Sequence, residues 1–175
     1  MAARYDDEHL RRFSAFRDAT ELAAPGEDDT TGIPASRLIA YARREGAVAD
    51  FALERHLRTS AAARRIHDRA LEMHALAHSD IAMAAAGGTQ VSRVVGAHRL
   101  ELIEEDAGVY LVIYLGAGAS VPGAIEVRDT KGDGARLALG AAMGGIIQLR
   151  LDLAKPQPKA LFDALVRPDS SVFLL

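Results

Sequence analysis

Phe51-Ala-Leu-Glu-Arg-His56-Leu-Arg-Thr-Ser60-Ala-Ala-Ala63-Arg64-Arg65 is the stretch on which the reading of this chain turns. It predicts one helix over Val48 to Leu57 and a second from Ser60 to about Ala86. The second run holds no Gly or Pro, is dense in Ala, Arg, Leu and Met, and stops at Gly87-Gly88. At about 1.5 Å per residue it would be close to 40 Å long. Upstream, Pro34 suits the first turn of a helix and Gly46 its end, so Ala35 to Glu45, with Leu38, Ile39 and Tyr41, predicts a shorter helix. Asp6 to Leu22 spaces Leu10, Phe13, Phe16 and Leu22 as an amphipathic helix. Between them Ala24-Pro-Gly-Glu-Asp-Asp-Thr-Thr-Gly-Ile-Pro34 reads as a linker.

After Gly88 the hydrophobic period changes. His98-Arg-Leu-Glu-Leu-Ile-Glu104 alternates and Val109-Tyr-Leu-Val-Ile-Tyr-Leu115 is continuously apolar. Ala124-Ile-Glu-Val-Arg128, Ala135-Arg-Leu-Ala-Leu139 and Gly145-Ile-Ile-Gln-Leu-Arg-Leu151 alternate again. Ser171 to Leu175 adds a last strand, and Pro158 to Leu165 reads as strand or short helix. Short strands parted by turns favour an antiparallel sandwich over a parallel sheet, which needs helical crossovers. The expected fold class is α+β: an N-terminal helical region of about four helices, then a small antiparallel β-sandwich. The boundaries are an amphipathic helix at 1–23, a linker at 24–33, a helical domain at 34–87 and the sandwich at 88–175.

Composition narrows the function classes. Of 175 residues, 49% are hydrophobic and 26% charged, which suits one medium domain or two small ones. A net charge of −3 gives no global electrostatic reason to bind nucleic acid. The absence of Cys excludes disulfides and thiol chemistry. With no apolar run of signal-peptide or membrane-span length, the expectation is a soluble, cytoplasmic protein with no membrane partner.

The motifs that resemble catalytic constellations each lack a defining residue. His67, His74 and His78 are spaced to share one face of the long expected helix, yet Ala75 follows His74 where a metalloprotease motif has Glu, so a polar stripe is expected rather than a metal site. Gly116-Ala-Gly118 and Gly132-Asp-Gly134 lack the Lys-Ser or Lys-Thr ending of a phosphate loop. Ser120 lacks the flanking glycines of a nucleophile elbow. Glu104-Glu-Asp106 reads as a solvated turn. The expectation is a non-enzyme without cofactor.

The segment from Pro34 to Ala77 resembles the zinc-binding anti-sigma domain of bacterial anti-sigma factors, whose signature is a His, three residues, a Cys, two residues and a second Cys. His56 stands at the first ligand position, while Ser60 and Ala63 stand where the thiolates would be. Neither supplies a zinc ligand of the usual kind. The resemblance therefore implies a zinc-free helical clamp, with Ala63 filling apolar space and Ser60 or Thr59 capping the next helix. It also implies a regulator that sequesters an extracytoplasmic-function-type sigma factor. Leu38, Tyr41, Phe51, His56, Leu57 and Arg64 would lie in the contact region. Release would come from a regulatory protease or a cytoplasmic partner, with Ala24 to Pro34 and Asp129 to Gly134 as cut points. The alternative is a β-sandwich binding module with a helical adaptor arm, acting as a scaffold or in a conflict system.

Overall fold

The computed structural model of the chain describes residues 32–44, 48–79, 85–87 and 90–175. The expected helix over Asp6 to Leu22 and most of the linker after it lie outside these residues. Three helices come first: α1 (Ala35–Ala42), α2 (Phe51–Thr59) and α3 (Ala61–His74). Pro34 precedes α1 in an extended conformation, and its carbonyl accepts from Arg37 N at 2.9 Å. Asp50 caps α2, its Oδ1 accepting from Ala52 N and Leu53 N at 3.0 and 3.2 Å. Ser60 ends α2 and begins α3, its Oγ accepting from Ala63 N at 3.1 Å. The cap expected at Ser60 is present, and Ala63 is fully buried.

The long expected helix is not formed. α3 ends at His74, and at about 1.5 Å per residue its 14 residues span roughly 21 Å. Leu76 N donates to Leu174 O at 2.7 Å, and β1 (Ala77–Ser79) then pairs with Leu174–Val172. Good helix formers are thus drawn into a sheet by a tertiary partner that local propensity does not see. The chain continues through β2 (Ala85–Gly87), β3 (Gln90–Val95), β4 (His98–Glu105), β5 (Gly108–Tyr114), β6 (Ala124–Asp129), β7 (Gly134–Ala138) and β8 (Ile146–Leu151). A helix follows, α4 (Pro156–Leu165), then β9 (Ser170–Leu174). Not all helices are N-terminal: Pro156 and Pro158 occupy the first turn of α4, where a missing N–H costs little.

All strand pairs are antiparallel. They form one sheet of order β1-β9-β6-β7 and another of order β2-β3-β4-β5-β8. One core joins the sheets. Ile125, Val127, Ala135, Val172 and Leu174 of the first meet Leu100, Leu102, Leu111, Ile113, Ile147 and Leu151 of the second, with Leu161, Ala164 and Leu165 of α4. Each leucine or isoleucine buried so fully contributes about 1.5–3 kcal/mol.

The other face of the four-stranded sheet is covered by α1–α3. The three helices share a small core of Leu38, Tyr41, Leu53, Leu57 and Ala63, with Ile33 and Ile66 at its edge. Ala42, Ala70 and Leu71 then meet Phe173 of β9. Strand β6 is therefore covered on both sides. Ile125 and Val127 face the inter-sheet core, while Glu126 and Arg128, pointing the opposite way, lie under the helices, and all four are buried.

Candidate functional site

The junction between helices and sheet is built from charge. Glu126 is fully buried at its centre: Arg128 Nε donates to its Oε1 at 2.8 Å and Arg136 Nε to its Oε2 at 2.6 Å. Arg128 reaches up to α2, donating to both carboxylate oxygens of Glu54 at 2.6 and 2.7 Å, a bidentate pair. Arg136 Nη2 donates to Ala42 O at 2.6 Å and its Nη1 to Arg44 O, which satisfies carbonyls at the C-terminal end of α1. The Tyr41 hydroxyl donates to Glu54 Oε1. The Arg44 guanidinium sits 3.5 Å over the Tyr41 ring and 3.8 Å from Glu126 Oε2.

Burial by itself would push Glu126 up. The surrounding Arg128, His67, Arg136 and Arg44 outweigh it and hold the carboxyl at about 2. Glu54 is likewise opposed by burial but held below its ordinary value by Arg128, with a contribution from Tyr41. Burial first, and then the hydrogen bond to Glu54, push the Tyr41 hydroxyl up to about 12. Burial lowers Arg44, and the attraction of Glu126 only partly offsets it. The cluster works as a set of pinned ion pairs, each fixing the protonation state of the next.

His67 of α3 enters this cluster from above. Its Nε2 lies 3.7 Å from Glu126 Oε1 and its ring centroid 5.7 Å from that of Tyr41, with neither ring nitrogen hydrogen-bonded. The expected stripe of three imidazoles is not one helix face. His74 ends α3 and takes a hydrogen bond from Arg43, while His78 lies in β1, stacked 6.3 Å from Phe173. The stripe fails because the chain leaves the helix between the second and third histidines. Among the described residues no group of three or more His, Cys, Asp or Glu side chains stands together to hold a metal.

The expected contact residues divide by exposure. Leu38, Tyr41, His56 and Leu57 are buried, so they shape the helical layer from within. Arg64 is spent inside the chain as well: its Nη1 donates to Leu57 O at 2.9 Å and Arg58 O at 3.2 Å, closing the C-terminal end of α2. Phe51 differs, standing 86% exposed at the start of α2 beside Val48 at 82%. It rims a groove of about 200 Å³ between α2, β7 and α4, whose walls include Ala49, Glu54, Arg58, Ala135 and Pro156. Comparison with protein-family models, with curated proteins and with solved structures gives no match.

Sequence reading missed Glu54, Glu126, Arg128 and Arg136. The alternation of Ala124-Ile-Glu-Val-Arg128 sends its charges to one face, and a charged face ordinarily reads as solvated. The available signal was the pairing of opposite charges two apart on one strand, facing a segment of buried-type helices. Among the described residues, no helix is long and apolar enough to cross a membrane.

Proposed function

We propose that the chain is a non-enzymatic cytoplasmic regulator that sequesters an extracytoplasmic-function-type sigma factor by protein–protein contact, with α1–α3 presenting the contact surface. One observation carries the reading: Phe51 and Val48 stand almost fully exposed on the helical layer, and Phe51 rims a groove in which Ala49, Ala135, Pro156 and Ala160 alternate with charged side chains. An exposed aromatic next to a groove is the kind of anchor that protein interfaces bury. The capped α2–Ser60–α3 junction adds support, since a hydroxyl cap and a buried alanine hold the turn at the positions where the resembling domain places thiolates.

Two details of the proposal change with the structure. Buried Leu38, Tyr41, His56 and Leu57 act by holding Phe51 and its neighbours in place. The turn from Asp129 to Gly134 is a poor cut point, because Asp129 Oδ1 accepts from Lys131 N and Asp133 N at 2.9 and 2.8 Å and Arg58 pairs with Asp133 at 2.8 Å. Release by proteolysis then falls to the linker before Pro34.

The test is titration calorimetry with purified sigma factors of this class, paired with transcription by the matching polymerase holoenzyme. A complex that silences transcription is expected. Phe51→Ser should weaken it roughly tenfold or more while leaving the thermal midpoint of the free chain unchanged. Undiminished transcription at saturating protein would refute the proposal. The second reading, a β-sandwich binding module, draws on Val94 and Ile146, 66% and 38% exposed on the outer face of the five-stranded sheet. It predicts partner binding that survives the Phe51 substitution.

A further inference from the structure

Strand β8 closes one side of the five-stranded sheet, and among the described residues no strand pairs with its outer edge. Which backbone groups that edge presents follows from the register. Leu115 N donates to Gly145 O at 2.8 Å, and bonded positions alternate in an antiparallel pair. Ile147, Leu149 and Leu151 therefore turn their N–H and C=O groups toward β5, opposite Ile113, Leu111 and Val109. Ile146, Gln148 and Arg150 turn theirs outward. Ile146 is already used, since Met143 N donates to Ile146 O at 2.8 Å and Ile146 N to Met143 O at 3.1 Å. Beyond the strand, Asp152 O accepts from Lys155 N at 2.9 Å. Among the described residues, the edge left unpaired is the two donors and two acceptors of Gln148 and Arg150, centred on Leu149.

That set is self-complementary, and the geometry points to a second copy of this chain as its occupant. The two β8 strands would pair antiparallel about a two-fold axis through Leu149. In this register each Gln148 faces the other copy's Arg150, so four hydrogen bonds form and every free group of the edge is used. Registers centred on Gln148 or Arg150 fail, because they oppose Arg150 to the occupied Ile146 or Gln148 to the half-occupied Asp152. The side chains agree with the choice. No like charges stand directly opposite. On the core side, half-buried Leu149 meets its own mate and Ile147 faces Leu151, which continues the inter-sheet core across the axis. The strand carries no Pro, and its one charged side chain is Arg150.

Sedimentation equilibrium of the full chain should show a mass rising from 18.7 kDa toward twice that value as concentration increases up to about 1 mM. Gln148→Pro removes a donor for which the described residues hold no acceptor, a change edge strands tolerate, and should abolish the rise with circular dichroism unchanged. Because the chain has no Cys, single thiols test the register itself. Leu149→Cys would place two sulfurs on a non-bonded pair with Cα atoms about 4.5 Å apart, within disulfide reach, and should cross-link on mild oxidation. Gln148→Cys, whose mates would lie about 8 Å apart, should not. A constant monomer mass, or stronger cross-linking through position 148 than 149, would overturn the inference. So would a monomer whose Gln148 and Arg150 amides resist hydrogen exchange, since another segment of the same chain would then cover the edge.

Discussion

Glu126 is the residue on which the helical layer and the sheet depend most. It accepts from two arginines, faces a third at 3.8 Å, and has no exposure through which water could replace them. Removing one member of such a group leaves the others charged and unmatched, which costs more than the pairing gains. Glu126→Gln keeps the shape but drops the charge, and should lower unfolding free energy by about 3–5 kcal/mol, measured by urea titration. The pH dependence has a definite sign. Glu126, held at about 2, and Glu54, also lowered, bind protons more readily when unfolded, where the ordinary value is 4.5. Their contribution is complete above pH 4.5 and is lost as pH falls toward 2. Tyr41 acts at the other end: raised from 10.0 to about 12, it contributes fully below pH 10 and less as pH rises through 12. The urea midpoint plotted against pH should decline at both limits for these reasons, and Tyr41→Phe should remove the alkaline decline assigned to it.

At the scale of elements, one close approach between the layers is a turn against a helix end. A Cβ on Gly132 would lie 2.5 Å from Leu57 O, and its φ of +84° is one that side-chain-bearing residues rarely adopt. Gly132→Ala should cost about 1–3 kcal/mol and should loosen α2, seen as faster amide exchange over Leu53 to Thr59. Much of this scale was legible from sequence. The Pro34 start, the Ser60 cap and the buried Ala63 needed only local chemistry, and the strands from His98 onward followed from period and turn residues, whereas β3 over Gln90–Val95 was not anticipated. The end of α3 was not legible, since Ala75 to Ala86 favours helix locally and only the distant Leu174 draws Leu76 into the sheet. Nor was α4 distinguishable from a strand, because ten residues with two prolines show too little periodicity to decide. Glu126 and Arg128 stayed hidden because alternation tells which residues share a face, not whether that face is wet.

At the scale of the whole molecule, the helices do not form a separable arm. Ala42, Ala70 and Leu71 bury themselves on Phe173, and Glu54 finds its counter-charge on β6. A fragment ending at Gly87 would expose the first set and strand the second in water-facing positions. It should lose helical circular dichroism at temperatures where the full chain is folded, and a fragment that kept a cooperative thermal transition would contradict the layering described above. The groove beside Phe51 is tied to the buried charge cluster, since Glu54 on its wall also accepts from Arg128.

The place of β9 in the sheet order has a consequence in time. It sits between β1 and β6, so the platform under the helices is incomplete until Ser170–Leu174 has been added. During synthesis α1–α3 must wait, undocked, until the much later Ser170–Leu174 has emerged from the ribosome. Pairings so distant along the chain are slow to form, and until then the apolar faces of α1 and α3 remain open to chaperones.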